Sequence, residues 1–326
     1  MQEAGRDPAL VPGAPAAGAS ATPAGAARPR VVSRSPEFVA AKRSAMLRFA
    51  AVALAATAIF GPILYYMVLH WNAVADYSHG FLVAPLAAFF AWERRGQLRN
   101  APIDPTWWGV VPIALGTAAL TVGRLGTELT SMRGAYVLTL MGLVLLLLGK
   151  SAFRVLFFPL AFLFLMVPLP QSLVNVVAFP LQLIAADWAV QLLYLLEIPA
   201  LREGNIIHLP ETQLFVAEAC SGLRSLMALI TLAIVFAYFF RRSWAQRVVI
   251  VASAIPIAIV VNSLRVAATG ILTYNFGQKA AEGVIHELQG MFTFGGAFLL
   301  LLGEAWLLSK IWPDTPRRPA RSGSAA

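Results

Sequence analysis

Residues 248–271 read VVIVASAIPIAIVVNSLRVAATGI, a run in which Arg265 is the only charged side chain. At about 1.5 Å per residue, a helix of this length crosses the roughly 30 Å hydrocarbon core of a bilayer. The run therefore reads as a membrane span. Its arginine is costly against lipid and calls for a partner or a water-filled cavity, which makes Arg265 a candidate functional residue as well as a structural exception.

Outward from this run, the rest of the chain has the same character. Of 326 residues, 59% are hydrophobic and 13% charged, with a mean hydropathy of +0.71. Such values lie outside the range of soluble domains. Apolar runs recur at short intervals, and none shows the ten-residue alternation of a membrane barrel. The expected fold is all-α, a polytopic transmembrane helical bundle of about eight spans. These fall at residues 47–69, 79–93, 107–123, 134–149, 152–169, 221–240, 248–271 and 290–311. Residues 171–198 are apolar overall but carry Gln171, Asn175, Gln182, Asp187, Gln191 and Glu197 around Pro180. They are expected to pack inside the bundle or lie along the interface, and are not counted as a crossing.

The domain reading is a disordered cytoplasmic tail at 1–45, a transmembrane domain at 46–312 and a short disordered tail at 313–326. The first stretch is rich in Ala, Pro, Gly, Ser and Arg and lacks an apolar run, so it cannot bury enough surface to fold alone. It also lacks the short apolar region and cleavage site of a signal peptide. With both termini placed in the cytoplasm, 19 of the 25 Lys and Arg fall on that side. The outer six are Arg124, Arg133, Arg202, Arg224, Arg265 and Lys279. Counting 171–198 as a crossing would turn the basic cluster RRSWAQR (241–247) outward, against the positive-inside bias. The net charge of +9 is thus accounted for by orientation, with the bilayer as partner and no nucleic acid.

In this topology the start of the sixth span, the end of the seventh and the loop before the eighth share the outer face. The first of these places reads EACSGLRSL (218–226) and holds Cys220, the only cysteine of the chain. One cysteine excludes an intrachain disulfide and a CxxC pair. A thiol at a helix N-terminus meets unpaired N–H groups and the positive end of the dipole, which favour the thiolate nucleophile. Arg224 stands four residues on, one turn along the same face. His286, in GVIHELQGMF (283–292), is the acid/base partner such a thiol requires. Arg265 supplies forked donors for a tetrahedral oxyanion. The candidate catalytic set is Cys220, Arg265 and His286, with Glu218, Arg224 and Asn262 supporting. The four histidines lack metal-ligand spacing, so no metal and no cofactor is expected.

These blocks, AEACSGLRSL (217–226), NSLRV (262–266) and the histidine at 286, resemble the exosortase family of membrane transpeptidases. DYSHGFLVAP (76–85), VPLPQ (167–171) and REGNIIHLP (202–210) agree with it, and the resemblance covers roughly residues 47–312. It implies a multi-pass cysteine protease and transpeptidase of the bacterial inner membrane, its active site facing the periplasm and Cys220, Arg265 and His286 matching the family's catalytic residues. The implied partners are exported proteins with a C-terminal sorting tail: a Pro-Glu-Pro-type motif, a transmembrane helix and a basic cluster. The competing readings are a transporter, which would carry internal repeats with matched broken helices, a non-catalytic scaffold for envelope polysaccharide export, and an acyltransferase with lipid substrates.

Overall fold

The computed structural model describes residues 36–216, 222–240, 243–277 and 284–312. The expected disordered tails fall largely on residues 1–35 and 313–326, which lie outside them. Contacts divide the chain into residues 1–43 and 44–326, and the architecture below is that of the second unit. Helix α1 (Pro36–Ile59) and α2 (Gly61–Ala73) meet at a 66° bend. Pro62 in the first turn of α2 suits a helix start, because its missing N–H would have no partner there. A 3-10 turn (Ala75–Tyr77) leads to α3 (Gly80–Glu93) and α4 (Arg95–Asn100). Then follow α5 (Val110–Leu125), α6 (Leu129–Leu147), α7 (Lys150–Phe162) and α8 (Gln171–Leu195). Three strands, β1 (Leu201–Glu203), β2 (Ile206–Leu209) and β3 (Thr212–Phe215), precede α9 (Gly222–Phe239), α10 (Trp244–Phe276) and α11 (Val284–Ile311).

By length and composition, five described helices can cross a membrane: Trp107–Leu125, Leu129–Leu147, Gln171–Leu195, Trp244–Phe276 and Leu288–Ile311. The bent pair α1–α2 makes a sixth if taken as one span. The mainly helical polytopic fold agrees with the sequence reading, while the set of candidate spans differs at four segments. The runs expected at 79–93, 152–169 and 221–240 fold as shorter apolar helices, α3, α7 and α9. Residues 171–195, left uncounted above, form one continuous 25-residue helix.

The polar groups of α8 explain how it tolerates that setting. Gln182 Oε1 accepts from Asn205 Nδ2 at 3.1 Å, and Asp187 accepts from Gln191 at 2.9 Å. Arg202 lies 3.7 Å from Asp187 and donates to the Leu183 carbonyl at 3.0 Å. Asn205 and Arg202 belong to the antiparallel meander β1-β2-β3, which the all-α expectation did not contain. Its Ile207, Leu209 and Leu214 bury against Ala185, Ala186, Ala189 and Leu193 of α8 and Val266 and Ala267 of α10.

Helices α5 and α6 form a hairpin by close backbone approach, as small residues permit where lipid provides no hydrophobic drive between helices. A Cβ on Gly109 would fall 2.5 Å from the Gly142 carbonyl oxygen, and one on Gly116 3.0 Å from that of Ala135. The hairpin closes on Glu128, whose carboxylate accepts from the backbone N–H of Thr130 (2.9 Å) and Ser131 (2.6 Å). Burial alone would push this carboxyl up, but those hydrogen bonds, with the hydroxyls beside them, outweigh it and hold it at about 2. A lowered carboxylate contributes stability at neutral pH and loses it as pH falls from its ordinary value of 4.5 toward about 2. Glu128→Ala is therefore expected to destabilise the protein by about 1 kcal/mol at pH 7, the difference from wild type shrinking through that acid window. Thermal unfolding in detergent, followed by circular dichroism, reads it.

The turn after α2 is pinned to the α7–α8 connection. Trp71 Nε1 donates to the Met166 carbonyl at 3.0 Å and the Tyr77 hydroxyl to that of Leu169 at 3.3 Å. Buried His79 sets its two ring nitrogens 3.2 Å from the carbonyls of Asp76 and Leu165. The DYSHG and VPLPQ stretches, ninety residues apart in sequence, thus meet in one structure.

Candidate functional site

Helices α9, α10 and α11 are consecutive and alternate in direction, so the start of α9, the far part of α10 and the start of α11 gather at one end. The packing bears this out. One buried cluster gathers Leu226, Leu229 and Ala237 of α9, Ile250, Ala254, Ala258 and Val261 of α10, and Ala297, Leu301 and Ala305 of α11. At the other end, a capping box links Ser243 and Gln246, and Gln246 Nε2 donates to the Trp312 carbonyl just past α11 at 2.7 Å. This arrangement is independent of how many earlier helices cross the membrane.

Arg265 lies 21 residues beyond Trp244 on α10, a rise of about 32 Å and so about one hydrocarbon thickness. Its side chain does not reach out to water as an interfacial anchor would. It is 8% exposed and rests on α11 at Gly290, where a Cβ would lie 3.3 Å from Nη2, 3.5 Å from Cζ and 3.7 Å from Nη1. A Cβ there would press on the guanidinium and make it give by a few tenths of an ångström. His286 stands four residues before Gly290, so the two positions share one helix face about a turn apart.

Gln289 fixes the two helices at this level. Its Nε2 donates to the Arg265 carbonyl at 2.9 Å. The Thr269 hydroxyl stands 3.1 Å from Gln289 Oε1 and 2.9 Å from the same Arg265 carbonyl, sharing one proton between them. Asn262, one turn before Arg265, is 5% exposed, and its Oδ1 accepts no hydrogen bond from the described residues. An acceptor left so has use for an amide N–H brought by a ligand.

At the start of α9, Arg224 is half exposed and pairs with Asp76 of the DYSHG turn at 3.6 Å. This ties the first turns of α9 to the pinned turn after α2, although a pair so open to solvent is worth at most about 1 kcal/mol.

Of the predicted site residues, the structure brings Arg265 and the His286 position to one level of the α10–α11 pair, with Asn262 beside them and Arg224 at the same end of the bundle. Cys220 and Glu218 lie outside the described residues, as does the His286 side chain. Sequence reasoning missed Asp76, Gln289 and Gly290 as site residues. Each lies in a stretch already singled out: Asp76 opens DYSHG, and Gln289 and Gly290 close HELQG.

The model of the transmembrane exosortase family (Exosortase_EpsH) matches residues 71–303, which include DYSHG, the meander and helices α9 and α10 entire. Among curated proteins and among solved structures, nothing matches the chain. A match over that much of the sequence shows the family: the chain is a transmembrane exosortase family member.

Proposed function

We propose that the chain is a membrane-embedded cysteine protease and transpeptidase that removes the C-terminal sorting tail of exported proteins and transfers them to an envelope acceptor. The observation that carries this reading is the buried Arg265 guanidinium, seated on Gly290 one turn from the His286 position and level with the start of α9. A membrane protein tolerates a buried arginine where it works on a substrate.

The chemistry follows from residue types. The Cys220 thiolate attacks the carbonyl carbon of the scissile peptide, and Arg265 holds the oxyanion through its forked donors. Collapse breaks the C–N bond, His286 protonates the departing amine, and the acyl group stays on Cys220 as a thioester. An incoming nucleophile, whether water, an amine or a lipid-linked group, attacks that thioester and restores the thiol. Asn262 Oδ1 accepts an N–H of the substrate backbone, Glu218 orients Arg224 or His286, and Arg224 ties the first turns of α9 to Asp76. The tail's transmembrane helix lies beside the bundle, and the basic residues at the opposite end of α9–α11 support a site that faces the periplasm from a bacterial inner membrane.

The test is co-expression with a tagged exported protein bearing a motif, helix and basic tail. Loss of the tail on gels and by mass spectrometry, dependent on the chain, is expected. A substrate of unchanged mass in the presence and absence of the chain overturns the reading. In the same assay Gly290→Ala, whose Cβ displaces the guanidinium by a few tenths of an ångström, is expected to slow processing about tenfold without loss of folded protein.

A further inference from the structure

The opposite end of the bundle holds a polar cavity that the proposed reaction does not use. It measures ≈350 Å³ and is lined by Glu93, Arg94, Gln97, Tyr238, Phe239 and Arg247, within the size range of small-ligand sites, about 300–1,000 Å³. Phe239 ends α9 and Arg224 stands near its start, so nearly the whole helix separates the cavity from the candidate catalytic end.

Most of its wall is fixed. Arg94 donates through Nε to the Tyr238 hydroxyl at 3.1 Å and through Nη1 to the Val155 carbonyl at 2.9 Å. Its guanidinium also lies over the rings of Tyr238 (5.1 Å) and Phe158 (5.5 Å). Tyr238 in turn donates to Glu93 Oε2 at 2.8 Å, which occupies the one acidic group of the wall. Arg247 differs. It lines the cavity and is only partly buried, and its Nε, itself closed off from the open space, meets no acceptor among the described residues, so a ligand meets this guanidinium through its terminal N–H groups. Two guanidinium groups against one carboxylate leave the wall with one positive charge.

The surroundings identify the kind of anion. Exposed Trp92, Trp244, Trp306 and Trp312 ring this end. Arg95 lies over Trp92 at 3.8 Å and Lys310 over Trp306 at 3.9 Å. Aromatic rings interleaved with cations mark the headgroup level of a bilayer. A phosphodiester there brings a single negative charge and oxygens that accept from arginine forks, while its acyl chains remain in lipid beside Phe239. We infer that this cavity binds the phosphodiester headgroup of an anionic phospholipid, with Arg247 as its principal donor.

The full chain in neutral detergent, titrated with phosphatidylglycerol, phosphatidylcholine or inorganic phosphate, tests this by native mass spectrometry and thermal unfolding. Wild type is expected to retain phosphatidylglycerol and to be stabilised by it more than by phosphatidylcholine. Arg247→Gln is expected to weaken this about tenfold, the worth of one charge-assisted hydrogen bond, while Arg247→Lys keeps more of the binding than Gln does. Arg95→Gln, which removes an equal charge outside the cavity wall, is expected to bind as wild type. Inorganic phosphate that displaces the lipid and stabilises alone would assign the site to free phosphate, against the lipid. Equal binding by Arg247→Gln and Arg95→Gln, or equal stabilisation by the two lipids, overturns the inference.

Discussion

Cys220→Ala and Cys220→Ser are each expected to lower processing of a tail-bearing substrate by on the order of 10⁴-fold, the loss that follows removal of a covalent nucleophile. The serine variant is the more informative of the two. It keeps a nucleophilic atom at the same place but replaces a thiol, which can ionise to the reactive thiolate, with a hydroxyl that stays protonated at neutral pH, so it separates thiolate chemistry from mere occupancy. Cys220 is the sole cysteine, and this permits a second, independent readout. Alkylation with a thiol reagent adds one label to the intact protein and is expected to abolish processing, while hydroxylamine added during turnover is expected to release the substrate as its hydroxamate from a thioester. Equal processing by wild type, Cys220→Ala and Cys220→Ser would remove catalysis from this residue and return the scaffold reading to the front.

The sequence made the membrane helices legible because an apolar run of membrane length has few other uses, and it made Arg265 legible because the run around it is so apolar. The difficulties arose where a local pattern depends on a distant partner. Residues 171–195 go uncounted as a crossing on their polar side chains and on the basic cluster at 241–247, whereas Gln182 and Asp187 have distant partners, Asn205 and Arg202, that the meander supplies. The meander is short, with strands of three and four residues, and of its first turn only the Gly-Asn pair at 204–205, with Gly204 at φ +64°, is a signal that the sequence carries. Gln289 and Gly290 were in plain view beside His286, yet their role is tertiary: one locks α11 to the Arg265 carbonyl and the other leaves room for the guanidinium. No window along a single helix carries that information.

Arg265→Lys is expected to lower the rate of processing by about 10²- to 10³-fold, the cost of removing one well-placed oxyanion donor, even though the charge is retained. The reason is geometric. The guanidinium presents a rigid fork, and its plane is set by Gly290 against Nη2 and by the closed packing that leaves Arg265 8% exposed; an ammonium in that seat is a point charge on a flexible stem. If the fork acts on the developing oxyanion, the loss belongs in the chemical step, with substrate retention on the enzyme little changed. A purely anchoring arginine predicts the reverse pattern, since lysine also holds a helix end at an interface, and processing would then continue at the wild-type rate. A buried site that folds poorly with lysine is recognised by its thermal unfolding, and Gly290→Ala then supplies the decision, because it moves the same guanidinium without touching its charge or its hydrogen-bonding atoms. Wild-type rates in both variants would assign Arg265 to the architecture of the α10–α11 pair alone.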